Sequence, residues 1–442
     1  MFSRAEALVH EPGLNSDGLK AAARYYDAQI VFPERLAVEN MLDAVANGAL
    51  VRNPARVYDL VLEAGVVCGV RFVDEATGVE HTARGKAVVN VAGPWVDEVL
   101  ASAGLGSGQE QLLGVTKGTH IVVEPFPGAP SDALYIEARS DGRPYFIIPW
   151  NGLYLIGTTD ERYEGDPDLA IPDDDEITYL LNETNGAIPD AGLDRDAVRY
   201  AYAGLRPLPF QVNGSESAIT RRHVVHNHAP HVSGLLSVLG GKLTTYRNLA
   251  EQTVDAVGNL LGRDLPKSST GSTHLPGAPE NASHFSTEFN RTRPNWLSER
   301  SAAYLIDVYG TRASLVVEVA EREATLREVI SPATGAIAAT IAFSFTDELA
   351  STLTDAIMRR SMIGYARDAG FDALDGVARA ARNGLGWDED RIVRELDEHC
   401  QYMERFLPRA GVTKVDDLGG RRAEQAPQPY QDGRRQPFRD PL

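Results

Sequence analysis

Several things are scarce or missing in this 442-residue chain, and each absence excludes something. With two cysteines, Cys68 and Cys400, there is no disulfide framework; both read as small core residues of a reducing cytoplasm. No run approaches the roughly eighteen apolar residues of a membrane span. The opening Met1-Phe2-Ser3-Arg4-Ala5-Glu6 has no apolar signal core. Cationic charge is short: 43 Lys and Arg stand against 62 Asp and Glu, a net charge of −19. That balance disfavours a general nucleic-acid binder and broad adhesion to anionic lipid, while leaving room for a local basic pocket or a peripheral membrane contact. A dinucleotide fingerprint is also missing. No predicted strand runs into G-x-G-x-x-G with an acidic residue about twenty positions on. Gly104-Leu105-Gly106-Ser107-Gly108 follows a helical segment, and its third glycine falls one position early, so it reads as a loop. A nucleotide cofactor would be held here without its usual pyrophosphate turn.

What is present fits two or three domains. Residues 1–25 are polar with a Pro-Gly break. A strand is predicted over 26–32, then a helix from Pro33-Glu34 through Ala46 with Leu36, Met41 and Val45 towards a core. Leu50-Val51-Arg52 reads as a strand, and 57–74 as a hairpin turning at Ala64-Gly65. Lys86–Gly93 reads as a strand ending in Gly-Pro, followed by a helix over Trp95–Ala103. Residues 112–238 change character. Short β runs at 119–123, 144–149, 153–158, 198–203 and 223–227 predict an antiparallel sheet, interrupted by a helix near 175–187 with Asp173-Asp174-Asp175 at its N-terminus. A helix with Leu249, Val254 and Leu260-Leu261 should return to the first domain. Residues 265–295, rich in Pro, Ser, Gly and Asn, read as a linker. Residues 297–407 are mainly helical. One helix is predicted after Thr346 as N-cap, carrying Leu349, Leu353 and Ile357; another follows Asp388, with Ile392, Leu396, Met403 and Leu407 on one stripe. No internal repeat is found, and 411–442 reads as a disordered tail.

The strongest local signal is Gly240-Gly241-Lys242-Leu243-Thr244-Thr245-Tyr246-Arg247, which follows the buried-looking strand Leu235–Leu239. Glycines at a strand-to-helix turn let backbone approach a flat or anionic ligand, and the helix N-terminus and Lys242 add positive charge. A plain sharp turn with a solvated lysine is the competing account. Val91-Ala92-Gly93-Pro94 is a second strand end where a ligand could lie, or a tight packing turn. His120, in Lys117-Gly118-Thr119-His120, could orient a hydroxyl or take its proton, or be a half-buried structural histidine. Arg206, in Gly204-Leu205-Arg206-Pro207-Leu208, and Arg221 offer planar forks for phosphate or carboxylate, or surface ion pairs. His223, His226, His228 and His231 crowd nine residues, yet without a Cys or carboxylate partner they read as a solvated hairpin rather than a metal site.

Taken in order, these segments resemble the FAD-dependent glycerol-3-phosphate dehydrogenases of the aerobic type. The series runs Tyr25-Tyr26-Asp27-Ala28-Gln29, Asn90-Val91-Ala92-Gly93-Pro94-Trp95, Lys117–Val123, Ile148-Pro149-Trp150, Ile156-Gly157-Thr158-Thr159-Asp160, Gly204–Leu208, Ile219-Thr220-Arg221, Gly240–Arg247, Leu353–Arg360 and Gly386-Trp387. It covers roughly residues 5–410. The family's N-terminal G-x-G-x-x-G flavin segment is not matched, which implies a truncated, mis-started or split form of such an enzyme, with a separately encoded N-terminal FAD-binding segment as one partner. The fold implied is α/β plus α+β: an incomplete FAD-binding domain (1–104 and 236–264) of glutathione-reductase-like α/β type, an inserted antiparallel-sheet substrate domain (105–235), a linker (265–296), a helical C-terminal domain (297–410) and a tail. The activity implied is hydride transfer from the central carbon of sn-glycerol 3-phosphate to FAD, giving dihydroxyacetone phosphate, with quinone or oxygen as final acceptor and a cytoplasmic or peripheral membrane location. Arg206 looks like the family's substrate arginine, with Arg221 near the same anion and His120 beside the substrate hydroxyl. Lys242, Leu243, Thr244 and the backbone of Gly240 and Gly241 resemble the loop facing the flavin pyrimidine, and Ala92, Gly93 and Pro94 would lie against the cofactor. The alternatives implied are a non-catalytic remnant that binds a partner, and a related flavin oxidase of an amino or hydroxy acid.

Overall fold

The computed structural model describes residues 1–105, 111–210 and 222–407. The chain opens with a strand pair, β1 (Phe2–Ser3) and β2 (Ala21–Ala22), around the short helix α1 (Arg4–His10). Ser3 and Glu6 close a reciprocal capping box at the start of α1. The strands expected at 26–32 and 50–52 do not form. These stretches find no ladder partner, and Tyr25, Tyr26 and Leu50 lie exposed. Helix α2 (Pro33–Ala46) starts on proline, which suits a first turn that needs no N–H. Its buried face is Arg35, Val38 and Glu39, whereas the expected core residue Val45 is exposed.

Strands β3 (Ala55–Glu63), β4 (Val66–Asp74) and β5 (Val79–Arg84) make an antiparallel meander. The β3–β4 turn sits at Ala64 and Gly65, both at positive φ, the twist that two-residue hairpins require. Strand β6 (Val88–Asn90) leads into helix α3 (Val96–Ser102). The second body is a six-stranded antiparallel sheet around β7 (Leu113–Val123). On one side lies β12 (Val198–Pro209); on the other, β10 (Leu153–Gly157), β9 (Pro144–Trp150) and β8 (Leu134–Glu137) follow in order. The short β11 (Glu161–Arg162) pairs with β7 at Lys117 and Thr116. Helix α4 (Asp174–Ala187), capped by Asp173, covers one sheet face with Ile177, Leu180 and Leu181 against Ile121, Ile147 and Ile156.

Strand β13 (Val224–Asn227) was expected in that antiparallel sheet. It pairs instead with β14 (Leu235–Leu239), which runs parallel to β6, so the three form one sheet. All five residues of β14 are buried, and a strand covered on both faces belongs inside a parallel layer. Helix α5 (Tyr246–Leu260) follows, with Val254 exposed rather than packed on the first domain.

The remainder is helical: α6 (Ala282–Thr292), α7 (Glu299–Tyr309), α8 (Ala313–Arg322), the small pair β15 (Val329–Ser331) and β16 (Ala336–Ile337), α9 (Ala339–Thr346), α10 (Leu374–Leu385) and α11 (Glu389–Met403). Helix α6 interrupts the stretch expected to be linker, nucleated by Asn281 as its cap. Thr346, expected to cap a helix, ends α9; Leu349 beyond it sits at φ 59°, which an α-helix does not accommodate, and a π-helical turn follows at Asp355–Arg360. Asp388 caps α11 as expected, with Ile392 and Met403 buried. The helical core takes in Val122, Trp150, Leu153 and Tyr200 of the sheet domain, so the two bodies share one apolar interior. A buried ion cluster adds a polar tie: Arg35 of α2 donates to both carboxylate oxygens of the fully buried Glu348 at 2.8 Å and to Glu39 at 2.9 Å, while Arg312 reaches Glu348 at 3.3 Å. The Arg35 guanidinium also lies over the Tyr309 ring, 4.8 Å from its centroid.

Candidate active site

Strand alternation sorts the Lys117-Gly118-Thr119-His120 segment into two faces. Lys117 and Thr119 point towards α4. Lys117 Nζ lies 2.8 Å from Asp173 and 2.9 Å from Glu176, and Thr119 Oγ1 donates to Glu176 at 2.7 Å. Burial works against the Lys117 charge, but the hydrogen bonds and charges of these two carboxylates outweigh it and hold its pKa above the ordinary value. Glu161, Asp173 and Glu176 come close enough together to suggest a cation site, yet the lysine ammonium already serves two of the three carboxylates. Gly118 and His120 occupy the opposite face, beside Arg206.

Register then assembles the site. In β12, Tyr202 stands opposite His120, Gly204 opposite Gly118 and Arg206 opposite Thr116. Tyr202, Gly204 and Arg206 share the His120 face. The Arg206 guanidinium folds back over Gly118: a Cβ there would come within 2.5 Å of Nη1, so glycine is what makes room for the fork. Arg206 donates to Asp160 Oδ1 at 3.0 Å, Thr158 Oγ1 at 3.0 Å and the Thr159 carbonyl at 3.2 Å. These bonds fix a planar cation, only 23 % exposed, at the rim of the sheet.

His120 is half-buried, but its Nδ1 is fully buried and has no hydrogen-bond partner among the described residues. Burial, and then the Arg206 charge, push its pKa down to about 4, so the imidazole is neutral at neutral pH. A neutral ring next to a fixed cation suits a substrate that brings an anionic group and a hydroxyl together.

The glycine turns meet at the carboxyl edge of the parallel strands. Gly240 and Gly241 adopt φ 70° and 102°, and Gly93 φ 58°, conformations costly for residues with a side chain. Gly240 N–H donates to the Pro207 carbonyl at 2.8 Å, tying this turn to β12 one residue beyond Arg206. Lys242, Leu243 and Thr244 are exposed in the 3₁₀ turn that begins α5, and no side chain caps that end. Asn90, not anticipated from sequence, braces the neighbouring turn. Its amide donates to the Val96 carbonyl at 3.0 Å and its Oδ1 accepts from Ala92 N at 3.2 Å. A polar residue at the end of a short apolar strand was the signal for it. Arg221 lies outside the described residues. Of the histidine group, His228 is buried rather than solvated, hydrogen-bonded to Ser237 at 2.9 Å, and burial and then His226 lower its pKa to about 4.

Comparison with known proteins gives consistent results. Residues 1–247 match the model of the FAD dependent oxidoreductases, and residues 268–392 match the C-terminal domain of alpha-glycerophosphate oxidase. The chain is 40% identical over 398 residues to a glycerol-3-phosphate dehydrogenase of Synechocystis, covering 88% of this chain and 72% of the relative. It is 32% identical over 407 residues to glycerol-3-phosphate dehydrogenase 2 of Mycobacterium tuberculosis, covering 91% and 67%. Among solved structures, the glycerol-3-phosphate dehydrogenase of Bacillus halodurans complexed with FAD superposes with a TM-score of 0.75 at 28% identity, covering 92% of this chain and 79% of that one.

Proposed function

We propose, for a chain that belongs to the FAD-dependent glycerol-3-phosphate dehydrogenase family, that Arg206, His120 and the Gly240–Thr244 turn form one site in which sn-glycerol 3-phosphate is oxidised to dihydroxyacetone phosphate. The observation that carries this reading is the Arg206 fork folded over Gly118 beside a neutral His120. Arg206 binds the substrate phosphate through its planar donors. His120 accepts the proton of the central hydroxyl as the hydride leaves the carbon that bears it. The incoming phosphate offsets the Arg206 charge that depresses the histidine, so substrate binding itself makes His120 a better base. Arg221 serves the same anion.

The residues at the parallel-strand edge fit the flavin. Backbone free of side chains at Gly93, Gly240 and Gly241, an uncapped helix start and the Lys242 ammonium make a cradle for a flat ring that gains negative charge. FAD, when bound, supplies the hydride acceptor. Ala92, Gly93 and Pro94 would touch it from β6, and Lys242, Leu243 and Thr244 from β14. No G-x-G-x-x-G motif occurs in the 442-residue sequence, and a separately encoded N-terminal segment is our proposed holder of the pyrophosphate. Quinone serves as the final acceptor, with oxygen as the alternative. A quinone acceptor would bring the protein to a membrane surface; among the described residues, no helix is long and apolar enough to cross one.

The test is the visible flavin band of protein loaded with FAD under anaerobic conditions. Glycerol 3-phosphate should bleach it, and glycine or lactate should not. Bleaching by glycine or lactate but not by glycerol 3-phosphate would move the protein to the amino- or hydroxy-acid oxidases.

A further inference from the structure

The orphaned Nδ1 of His120 raises a question. A histidine that handles a proton is ordinarily oriented by a hydrogen bond at its second ring nitrogen. None is present here among the described residues. The ring is held by shape instead. In the row formed by β10, β7 and β12, Gly157 pairs with His120 and His120 with Tyr202. The Tyr202 ring lies flat against the imidazole, with centroids 5.1 Å apart and planes inclined by 13°. On the other side, a Cβ at Gly157 would come within 2.7 Å of His120 Cγ. His120 therefore occupies a slot with an aromatic wall and a glycine wall.

The aromatic wall is backed by the helical domain. Tyr202 packs against that domain's apolar core, as does Tyr365. Tyr365 donates its hydroxyl to Glu34 of α2 at 2.7 Å, and its carbonyl accepts from Tyr200 at 3.0 Å and from Asn151 at 2.8 Å. Its ring sits 5.8 Å from Trp150 and 6.2 Å from Phe32. Burial first, and then the nearby Glu34 carboxylate, raise the Tyr202 hydroxyl above its ordinary pKa, so that wall stays uncharged.

We infer that Tyr202 is a positioning residue for His120, and that the helical domain, through Tyr365 and its bond to Glu34, holds Tyr202 in place. The inference rests on the reading of His120 as the proton acceptor. It gives the C-terminal domain a part in the chemistry of a site built on the sheet domain.

The experiment compares His120→Ala, Tyr202→Leu, Tyr202→Phe and Tyr365→Phe in the FAD-loaded enzyme, and follows the His120 imidazole by NMR against pH in the full chain without substrate. His120→Ala tests the underlying reading: unchanged turnover there would remove His120 from the reaction. If His120→Ala is impaired, Tyr202→Leu should lower kcat by about 10- to 100-fold, the cost of a misplaced catalytic group, with KM changed much less. Tyr202→Phe keeps the flat ring and should recover most of that loss. The His120 titration, at about 4 in the parent, should move up towards ~6.5 in Tyr202→Leu as water reaches the ring. Arg206 is the charged group facing it and is unchanged in that variant, so the movement reports the slot. Thermal melts of each variant separate loss of fold from loss of position. A folded Tyr202→Leu protein with unchanged kcat and an unchanged His120 titration would overturn the positioning role. Tyr365→Phe should lower kcat several-fold; no change there would overturn the part assigned to the helical domain.

Discussion

The proposed substrate side and the proposed flavin side of this molecule are built from different materials. On the sheet face of β7 and β12, the proposed site rests on side chains. Arg206 is pinned by three acceptors, and His120 is wedged between Gly157 and Tyr202. At the edge of β6 and β14, the proposed site rests on backbone: glycines at positive φ and a short 3₁₀ turn that no side chain caps. A phosphate and a hydroxyl are small, directional targets that repay fixed donors. A flavin ring is broad and flat, and it is met best by a surface without side chains. The contrast teaches that single substitutions should act sharply on the first side through chemistry, and on the second through shape.

The largest effect should come from a change on neither side. Replacing Glu348 by Gln leaves Arg35 and Arg312 buried without their shared counter-charge, which should cost about 3–5 kcal/mol of stability. Denaturant melts would show it, while the preference for glycerol 3-phosphate over glycerol stays unchanged. A shift in that preference would mean that the interdomain cluster is part of the site. Next, Gly118→Ala should lower kcat/KM for glycerol 3-phosphate by about 10- to 100-fold by displacing the Arg206 fork, with flavin affinity untouched. On the flavin side, Gly241→Val should cost about 1–3 kcal/mol at that φ and weaken flavin retention more than Lys242→Ala does. If the lysine variant proves the worse, the backbone account of that edge is broken.

A separate expectation concerns stability against pH. Burial lowers the pKa of His120, His228 and His399 to about 4 each, against ~6.5 in an unfolded chain. Each is neutral in the fold where the unfolded chain binds a proton. Stability is therefore complete above about pH 6.5 and should fall as pH drops from there towards 4. Melting curves between pH 7.5 and about 4.5 check the sign, and replacing His399 by Gln should flatten the slope.

Much of this was legible in the residues, and the reasons for the misses are physical. The run Asp173-Asp174-Asp175 was read at the start of a helix, and Asp173 does cap α4 there. Short β runs between turns marked β7, β9, β10 and β12, while the short β8 and β11 were not read. What sequence could not supply was pairing. Residues 26–32 have strand composition but no neighbour, and 223–227 joins a different sheet because the buried β14 offers it an edge. The charged face of α2 was missed because Arg35 and Glu39 become core residues only when Glu348, more than three hundred positions away, meets them. The Tyr202–His120 stack is likewise a product of register, visible only once β7 and β12 are aligned.

The most direct test of the account is calorimetric titration of glycerol 3-phosphate and of glycerol into the parent protein and Arg206→Ala. The account predicts that the parent binds the phosphate ester far more tightly than glycerol, and that losing the arginine weakens this binding by about 30-fold or more, bringing the two ligands close together. Equal binding of glycerol 3-phosphate by parent and variant would contradict it, because the anion would then be held somewhere other than over Gly118.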